Sequence, residues 1–475
     1  MHIKPLSELI TSLLPFKPTS DQNNAILKFQ EFITAPFSPV AYVLKGYAGT
    51  GKTSLIAAFS KALKKYHFQT VLLAPTGRAA KVMSNYSGRK SFTIHKIIYS
   101  LKPGADGILR FQLNKNKFKN TVFIVDEASM IGNEGGLTFY DWGKQTGLLD
   151  DLMSFVFDGE NCKLMLVGDT AQLPPVHLNI SPALDEAYLT KELCLKVYSA
   201  ALTEVVRQAK DSGILYNATY LRSLIKKGSK SFPKFQINFP DIQNITGEEL
   251  QDLLDECYGK YGEDETIVIT RSNKRAILFN KQIRARIKWL EEDIATGDYL
   301  LICKNNYFWL VEQDNIGFIA NGDIAEIQSI NKREELYGFH FADVTLRMVD
   351  YPDHSTIDVK IILESIDSES PALTPELSKQ LYEAVAADYA DIPDRRKKRK
   401  LIRENPYYQA LQVKFAYAVT CHKAQGGQWD AVFVDQGYLT EEMIGTSYYR
   451  WLYTAFTRAK KKLYLINFHR NLIME

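Results

Sequence analysis

The residues with the clearest chemistry lie at positions 46–53, which read GYAGTGKT and fit the phosphate-binding pattern G-x-x-x-x-G-K-[ST]. An apolar run at 41–44 predicts a buried strand before this pattern, and apolar periodicity from residue 54 predicts a helix after it. In that setting, backbone N–H groups surround phosphate oxygens and the helix dipole adds positive charge. The predicted phosphate-binding residues are Gly46, Ala48, Gly49, Thr50, Gly51, Lys52 and Thr53.

Two later segments place polar residues at the ends of predicted strands. The apolar run at 121–125 leads directly into Asp126 and Glu127. We expect Asp126 to hold Mg²⁺ through its waters, Thr53 to supply a further Mg²⁺ ligand, and Glu127 to polarise the attacking water. A later strand at 163–167 leads to Gln172, which could sense the γ-phosphate. These side chains would complete a site for hydrolysis of a nucleoside triphosphate.

The composition predicts a multidomain protein without a zinc site or a disulfide framework. The chain has 475 residues, which predicts about three domains, and a net charge of +3, which does not single out nucleic acid as a partner. No apolar run approaches the ~18 residues of a membrane span, and no signal-peptide core is present. Five scattered cysteines without C-x-x-C spacing argue against a zinc site and favour a reducing compartment. We expect a cytoplasmic protein, associated with the nucleoid if the source is bacterial.

Strand and helix patterns alternate in two blocks, which predicts an α/β fold with parallel sheets covered by helices. Residues 96–120 interrupt the first block with a Pro-Gly turn signal and predict a β-hairpin. Residues 286–412 interrupt the second block with short β-like pieces and predict an inserted barrel. The predicted domains are residues 1–200, residues 201–285 with 413–475, and the insertion 286–412.

Six further segments follow in order along nearly the whole chain. They are 19–22 (TSDQ), 74–80 (APTGRAA), 93–95 (TIH), 202–208 (LTEVVRQ), 418–426 (AVTCHKAQG) and 453–459 (YTAFTRA). Together with the phosphate loop, this set resembles the superfamily 1 helicases, in the 5′-to-3′ branch that contains RecD, the phage Dda helicase and the PIF-type helicases. The ordered set is far more specific than any single member.

The resemblance implies two RecA-like P-loop domains with parallel sheets, a β-hairpin insertion in the first and an SH3-like β-barrel insertion in the second. It implies ATP and Mg²⁺ as cofactors. Arg207 and Arg458 would reach the γ-phosphate from the second domain, where a guanidinium can offset transition-state charge. Gln22 would read the adenine edge, and Gly426 would lie at the nucleotide. The residues expected on nucleic acid are Pro75, Thr76, His95, Thr420, His422 and Lys423.

These features predict an ATP-dependent DNA helicase that moves 5′ to 3′ on single-stranded DNA and unwinds duplex. The polarity and the preference for DNA over RNA come from the resemblance alone. Expected partners are single-stranded DNA and tailed or forked duplex, with single-strand-binding or repair proteins as further candidates. The motor would be a monomer in replication or repair, without a membrane partner. Two alternatives stay open: a RecD-type motor subunit of a larger repair nuclease, and a non-translocating P-loop ATPase switch.

Two segments outside the motifs carry their own predictions. The hairpin 96–120 contains Phe111 and Phe118 among basic residues and would act as the wedge that splits the duplex. The run 395–400, RRKKRK, is the strongest basic cluster. It fits either a phosphate-contacting ridge of the inserted module or a solvated helix face.

Overall fold

The structure, a computed structural model, describes residues 5–36, 39–103, 109–132, 135–139, 145–205, 211–306, 308–310, 319–351 and 356–474. For residues 101–103, 109–111, 135–139 and 145 it describes the backbone alone. Within these ranges, no helix is long and apolar enough to cross a membrane.

The part of the chain before residue 203 builds a parallel sheet flanked by helices. Its strands are β1 (Val40–Gly46), β2 (Gln69–Ala74), β3 (Ser91–Thr93), β4 (Tyr99–Pro103), β5 (Leu109–Leu113), β6 (Thr121–Val125), β7 (Gly135–Phe139), β8 (Gln145–Gly147), β9 (Lys163–Gly168) and β10 (Lys196–Leu202). Its helices are α1 (Leu6–Leu13), α2 (Ser20–Thr34), α3 (Lys52–Lys65), α4 (Gly77–Ser87), α5 (Ile94–Ile98), α6 (Leu148–Asp158) and α7 (Glu186–Lys191). The main sheet has the order β10-β1-β9-β6-β2-β3, with every pair parallel.

Alternate residues of the central strands enter two separate cores, one on each face of this sheet. Tyr42 and Leu44 pack with α1, α2 and α3, whereas Ala41 and Val43 pack with α5 and α6. Because successive strand side chains point to opposite faces, a strand buried on both faces reads as a continuous apolar run. This explains why β1, β6 and β9 are recognisable from the sequence.

The segment 96–120 contains an antiparallel hairpin of β4 and β5. Phe118 lies outside this hairpin, and its ring packs edge-on against Phe123 of β6 with centroids 5.4 Å apart. The prediction that Phe118 forms part of a wedge is therefore wrong. Asn116 is buried and donates to the carbonyl oxygens of Phe155 and Val156, so the chain has rejoined the domain core by residue 116. Residues 104–108, between β4 and β5 in the sequence, and the side chain of Phe111 lie outside the described residues.

A second hairpin, formed by β7 and β8, was not predicted. It lies beside β5, so the two hairpins share one side of the first domain. The Gly-rich stretch 132–147 surrounds a short β-like run, and that alternation of turn and strand residues is the signal that could have identified it.

The rest of the chain builds a second parallel sheet and a closed barrel. Its strands are β11 (Phe235–Gln236), β12 (Ile242–Ile245), β13 (Thr266–Thr270), β14 (Tyr299–Ile302), β15 (Ile324–Leu336), β16 (Phe339–Met348), β17 (Ile357–Ile362), β18 (Leu411–Phe415), β19 (Ala418–Thr420), β20 (Trp429–Asp435), β21 (Ala459–Ile466) and β22 (Ile473–Met474). Its helices are α8 (Gly213–Lys227), α9 (Leu250–Tyr261), α10 (Asn273–Arg286), α11 (Pro375–Ala387), α12 (Arg395–Arg403) and α13 (Thr446–Phe456). The sheet has the order β12-β21-β20-β13-β19, and the barrel closes through β14-β15-β16-β17-β18.

The predicted fold class is confirmed: two α/β units with parallel sheets carry a hairpin in the first unit and a barrel in the second. The domain limits stay a prediction. Strand β10 of the first sheet runs to Leu202, and the barrel leads directly into the second sheet because only residues 416 and 417 separate β18 from β19.

The barrel also contacts the first domain, at the start of α4. Arg78 Nη1 lies 3.3 Å from Asp350 Oδ1, and Lys81 Nζ donates to the carbonyl oxygen of Val349 at 2.9 Å. Asp323 is buried in the same contact. Its Oδ2 accepts from the Ala320 N–H, whereas its Oδ1 has no hydrogen-bond partner. Burial, with a contribution from Asp350, raises the pKa of Asp323 to about 8.

Asp323→Asn should make the protein less sensitive to alkaline pH. An unfolded aspartate ionises near pH 4, so from about pH 4 to the folded pKa of about 8 the native state alone retains this proton. The stabilisation that this buried proton gives the wild type is fully present below about pH 4. It is lost as the pH rises towards about 8, by at most about 1.4 kcal/mol per pH unit. The gain in urea midpoint of Asp323→Asn over wild type should therefore grow from about pH 5 to about pH 8. Asp358→Asn, an exposed barrel carboxylate, is the control; a constant Asp323→Asn difference would contradict the buried proton.

Candidate nucleotide cleft and nucleic-acid groove

The phosphate loop joins the end of β1 to the start of α3, as its pattern predicts. Gly49 and Gly51 adopt φ values of +74° and +86°, a left-handed conformation that favours glycine. Lys52 Nζ donates to the carbonyl oxygens of Gly46 at 2.6 Å and Tyr47 at 3.0 Å. The ammonium therefore lies over the loop, where it can exchange these carbonyls for phosphate oxygens.

Asp126 and Glu127 follow β6 and stand opposite the loop. Asp126 Oδ2 accepts from the Tyr86 hydroxyl at 2.5 Å, and Oδ1 accepts from the Glu127 N–H at 2.9 Å. Burial and the neighbouring Glu127 raise the pKa of Asp126. Glu127 adopts φ +53°, and its side chain faces the second domain. One acid is thus fixed by hydrogen bonds, whereas the other faces Arg458 across the cleft.

A cavity of about 700 Å³ lies between the two sheets and brings most of the predicted nucleotide residues together. The predicted residues that line it are Ala48, Gly49, Gly51, Lys52, Thr53, Asp126, Glu127, Gln172, Gly426 and Arg458. Gln172 is buried there, and its Oε1 has no partner among the described residues. An unpaired buried amide is costly, so its position at the cavity is consistent with a hydrogen bond to a ligand.

Arg458 crosses from the second domain toward the acids of the first. Its Nη1 lies 3.9 Å from Glu127 Oε1 and donates to the carbonyl oxygen of Gly427 at 3.1 Å, while Nε donates to Thr454. The side chain is almost fully buried. Arg207, the other predicted arginine, lies outside the described residues, so its role stays a prediction.

The predicted adenine contact, Gln22, occupies a different environment from the one expected. It is fully buried, its Nε2 donates to the carbonyl oxygen of Thr50 at 3.0 Å, and its Oε1 accepts from the Thr19 N–H at 3.1 Å. Gln22 therefore caps α2 and supports the phosphate loop from below. Adenine reading by this amide stays a prediction and would require it to leave both partners. Gly46 and Thr50 likewise form the base of the loop and do not line the cavity.

Tyr453 makes the contact between domains that sequence reasoning missed. Its hydroxyl donates to Asp169 Oδ2 at 2.6 Å and accepts from the Ala48 N–H of the phosphate loop at 2.8 Å. Burial raises the pKa of Asp169. The signal was present, because Tyr453 opens one of the recognised segments, but an aromatic in an apolar helix usually reads as core.

The loop after β9 is bonded to two separate segments of the second domain. The Leu173 N–H donates to Thr454 Oγ1 at 2.8 Å, and the Leu173 carbonyl accepts from Gln425 Nε2 at 2.7 Å. Gln172, which lines the cavity, is the preceding residue. Displacement of one side of this cleft must therefore move the other.

A Mg²⁺ ion fits this site only as a partner of bound phosphate. The described residues contain no group of three or more His, Cys, Asp or Glu side chains that could hold a metal. Thr53 and Asp126 both line the cavity, and both Asp126 oxygens already accept hydrogen bonds. Mg²⁺ commonly completes its octahedron with waters and substrate phosphates, so two protein ligands, one acting through water, are sufficient.

A second cavity, of about 320 Å³, lies between the two domains and the barrel. Three of the predicted nucleic-acid residues line it: Thr76, His422 and Lys423. Lys423 Nζ donates to Asn321 Oδ1 of the barrel. Pro75, Thr420 and His95 do not line it; His95 lies on α5, with its ring centroid 5.6 Å from that of Tyr99.

Arg78 lines both cavities and was not singled out from the sequence. Besides its ion pair with Asp350, it donates to the carbonyl oxygen of Asp264 at 3.3 Å and stacks on Trp429, 4.9 Å from the ring centroid. One side chain of α4 thus contacts the second domain and the barrel together.

Comparisons with known proteins agree with this geometry. The AAA domain family matches residues 30–224, and the UvrD-like helicase C-terminal domain family matches residues 415–466. The ATP-dependent RecD2 DNA helicase of Deinococcus radiodurans is 24% identical over 431 residues, which is 89% of this chain and 46% of that protein. The ATP-dependent DNA helicase dda of Enterobacteria phage T4 is 26% identical over 419 residues, 82% of this chain and 86% of that protein. Along most of its length the chain is similar to superfamily 1 helicases.

The resemblance to the 5′-to-3′ helicase branch that the motifs predicted is therefore confirmed, and the matched family and relatives imply the use of ATP. Among solved structures, a Pif1 helicase at forked DNA has a TM-score of 0.47 and 15% identity, covering 97% of this chain and 95% of that one. The chain spans about half the length of the Deinococcus relative, 46%. The roles of individual residues in this chain stay predictions.

Gly426→Ala should impair ATP hydrolysis by pushing the two domains apart. A Cβ at Gly426 would lie 2.9 Å from the Cβ of Ala79 and 3.2 Å from Thr76 Oγ1. Gly437 is a matched control: its φ of +64° resembles the +74° of Gly426, yet the nearest atom lies 4.0 Å away. Both substitutions strain the backbone by roughly 1 kcal/mol. We expect ATPase kcat/KM to fall about tenfold or more in Gly426→Ala and to stay within about twofold in Gly437→Ala. Equal losses would show that backbone strain, not domain separation, is responsible.

Proposed function

We propose that this chain is an ATP-dependent DNA helicase that moves 5′ to 3′ along single-stranded DNA and unwinds duplex. The observation that carries the proposal is the pair of hydrogen bonds at Leu173. Its N–H bonds to Thr454, close to Arg458 of the nucleotide cleft, and its carbonyl bonds to Gln425, which lines the second groove. A change at the cleft therefore has a short, direct path to the groove.

The hydrolysis step follows from the charges around the cleft. Lys52 exchanges its two loop carbonyls for phosphate oxygens, and Arg458 meets the growing negative charge from the opposite domain. Glu127 turns from Arg458 to orient the attacking water and accept its proton. When bound, Mg²⁺ supplies further positive charge on the phosphates, and Thr53 with Asp126 would hold it.

Translocation follows from the composition of the second groove. Thr76 belongs to the first domain, His422 and Lys423 to the second, and Asn321 to the barrel. Hydroxyl, imidazole and ammonium groups suit phosphate contacts, which position a strand without reading its sequence. Because each domain holds the strand through its own side chains, opening and closing of the cleft changes the spacing between two grips and moves the strand.

The DNA substrate and the polarity come from the relatives. The Deinococcus and T4 proteins are both described as ATP-dependent DNA helicases, whereas the 5′-to-3′ polarity rests on the resemblance of the motifs to that branch. The RecD-type subunit of a larger nuclease and the non-translocating switch remain the alternatives. An ATPase of the purified chain that rises strongly with single-stranded DNA excludes the switch. Unwinding by that chain alone excludes dependence on partner subunits.

Lys52→Ala should abolish ATP hydrolysis and leave binding to single-stranded DNA largely intact. Lys52 lines the nucleotide cavity and does not line the second groove. Glu127→Gln should still bind ATP and Mg²⁺ but stall as a closed, DNA-bound complex, since the amide cannot take the proton. Turnover with labelled ATP and DNA affinity by fluorescence anisotropy check both variants. Substantial turnover in Lys52→Ala, or loss of nucleotide binding in Glu127→Gln, would disprove the assigned roles.

Replacing residues 101–111 with a short Gly-Ser turn should separate translocation from unwinding. The change leaves Asn116 and Phe118 in the domain core and removes the outer part of the β4–β5 hairpin. We expect normal DNA-stimulated ATPase but little displacement of a 5′-tailed duplex, since each base-pair step costs about 1–2 kcal/mol to open. A Gly-Ser exchange of residues 140–144, which connect β7 to β8 in the sequence, is the control.

The same displacement assay with 3′-tailed duplex tests the polarity. The unaltered protein should open the 5′-tailed substrate and leave the 3′-tailed one intact. Equal unwinding by the hairpin variant would place the splitting element elsewhere, most plainly in the inserted barrel.

A further inference from the structure

Helix α12 of the inserted module carries a concentration of positive charge that the ATPase mechanism does not use. Seven of its nine residues, Arg395–Arg403, are Lys or Arg, whereas the whole 475-residue chain has a net charge of only +3. The rest of the chain is therefore slightly acidic overall. A polyanion approaching this protein would meet its strongest attraction at α12.

The charges on α12 are ordered into a row. Arg395, Arg399 and Arg403 lie four residues apart, which places them on one side of the helix about 6 Å from one another. All three are exposed, as is Arg396 beside them. None of these four arginines has a carboxylate within salt-bridge distance among the described residues. Lys400 is the basic residue of this helix that does, with Glu404 at 3.8 Å.

The helix forms in spite of this row. Like charges four residues apart repel, and Arg395, Arg396 and Lys397 lie at the positive end of the helix dipole. Two features offset the cost. Asp394 caps the N-terminus by accepting from the N–H groups of Arg396 and Lys397, and Ile402 is buried in an apolar cluster with residues of α11 and β16. A folded helix with uncompensated charge is preorganised for an anion, because folding has already met the cost of ordering its backbone.

The position of α12 separates it from the groove. Strand β15 begins at Ile324, which lines the groove, and its far end pairs with the residues of β16 that pack on α12. Its thirteen residues span roughly 40 Å if fully extended. The single strand held by Thr76 and Lys423 is therefore a separate site from whatever occupies α12.

We propose that α12 is a second nucleic-acid site, which binds the phosphate backbone of duplex DNA flanking the single strand. The row from Arg395 to Arg403 is about 12 Å long, which matches the width of the major groove, so its two ends can reach phosphates of both strands. Guanidinium groups bind phosphates through paired hydrogen bonds, and duplex DNA presents a charge every ~1.7 Å along its axis. This site rests on the proposed helicase function, since it supplies the duplex side of the same substrate.

The test removes the charges of the arginine row while keeping the helix folded. Arg395→Gln, Arg399→Gln and Arg403→Gln together remove three charges while keeping good helix propensity. Lys226→Gln, Lys227→Gln and Lys230→Gln remove three exposed charges at the end of α8 and form the matched control. Affinity is measured by fluorescence anisotropy for a blunt duplex and for a single strand, from about 50 to about 200 mM salt.

The expected result is selective. The arginine variant should bind the blunt duplex about tenfold more weakly, and the slope of log K against log salt should fall by about 2 to 3, at roughly 0.9 per lost phosphate contact. Its affinity for single strand and its thermal unfolding midpoint should match those of the unaltered protein. A triple exchange to lysine should restore the slope, because charge is retained.

Three results would overturn the proposal. They are an unchanged duplex affinity and salt slope, an equal loss of affinity for single strand, or an equal loss of duplex affinity in the control variant with Lys226, Lys227 and Lys230 replaced by Gln. Unchanged duplex affinity would leave α12 as a solvated or protein-binding face. An equal loss for single strand would assign the arginine row to single-stranded DNA. Failure of the proposed helicase function is read separately, as an ATPase of the unaltered protein that single-stranded DNA does not stimulate.

Discussion

A single phenol group ties the two parallel sheets together at the nucleotide cleft. Tyr453 donates to the buried Asp169 and accepts from the Ala48 N–H, so one hydroxyl holds a carboxylate and the phosphate loop at once. Five residues later, Arg458 faces Glu127 across the same gap. A triphosphate is too highly charged for one sheet edge to neutralise, and the reactive arrangement therefore exists only where both sheets meet.

The barrel, too, is held in place by contacts with both domains. Arg78 extends from α4 to Asp350 of the barrel and to Trp429 of the second sheet, and it borders both cavities. Gly77, the residue before it, has no room for a side chain, since a Cβ there would lie 2.5 Å from Asp323 Oδ1 and closer still to the Tyr351 hydroxyl. The start of α4 is thus fixed from three directions, which keeps the first domain's contribution to the groove in register with the barrel.

The sequence predicts the parts of the site whose chemistry is local. The phosphate loop, the acids after β6 and the strands around them are recognisable because glycine spacing, strand burial and strand-end polarity are short-range patterns. Tyr453, Arg78 and the second hairpin escaped because their roles depend on partners hundreds of residues away or on a β-like run too short to stand out. Gln22 and Phe118 show the converse, because a suggestive position does not reveal the partners of a side chain: Gln22 caps α2 in this structure, and Phe118 fills a core.

The short junction between the barrel and the second sheet has a mechanical consequence. Only residues 416 and 417 separate β18 from β19, and both are secured, since the Ala416 N–H bonds to the Tyr299 carbonyl and the Tyr417 hydroxyl to Asp298. A two-residue junction held by hydrogen bonds cannot extend under force. An obstacle on the DNA that loads the barrel would transmit its force to His422, Lys423 and Gln425 just beyond β19, and through Leu173 to the nucleotide cleft. In the proposed motor, a load on the DNA would therefore slow ATP hydrolysis through the fold itself.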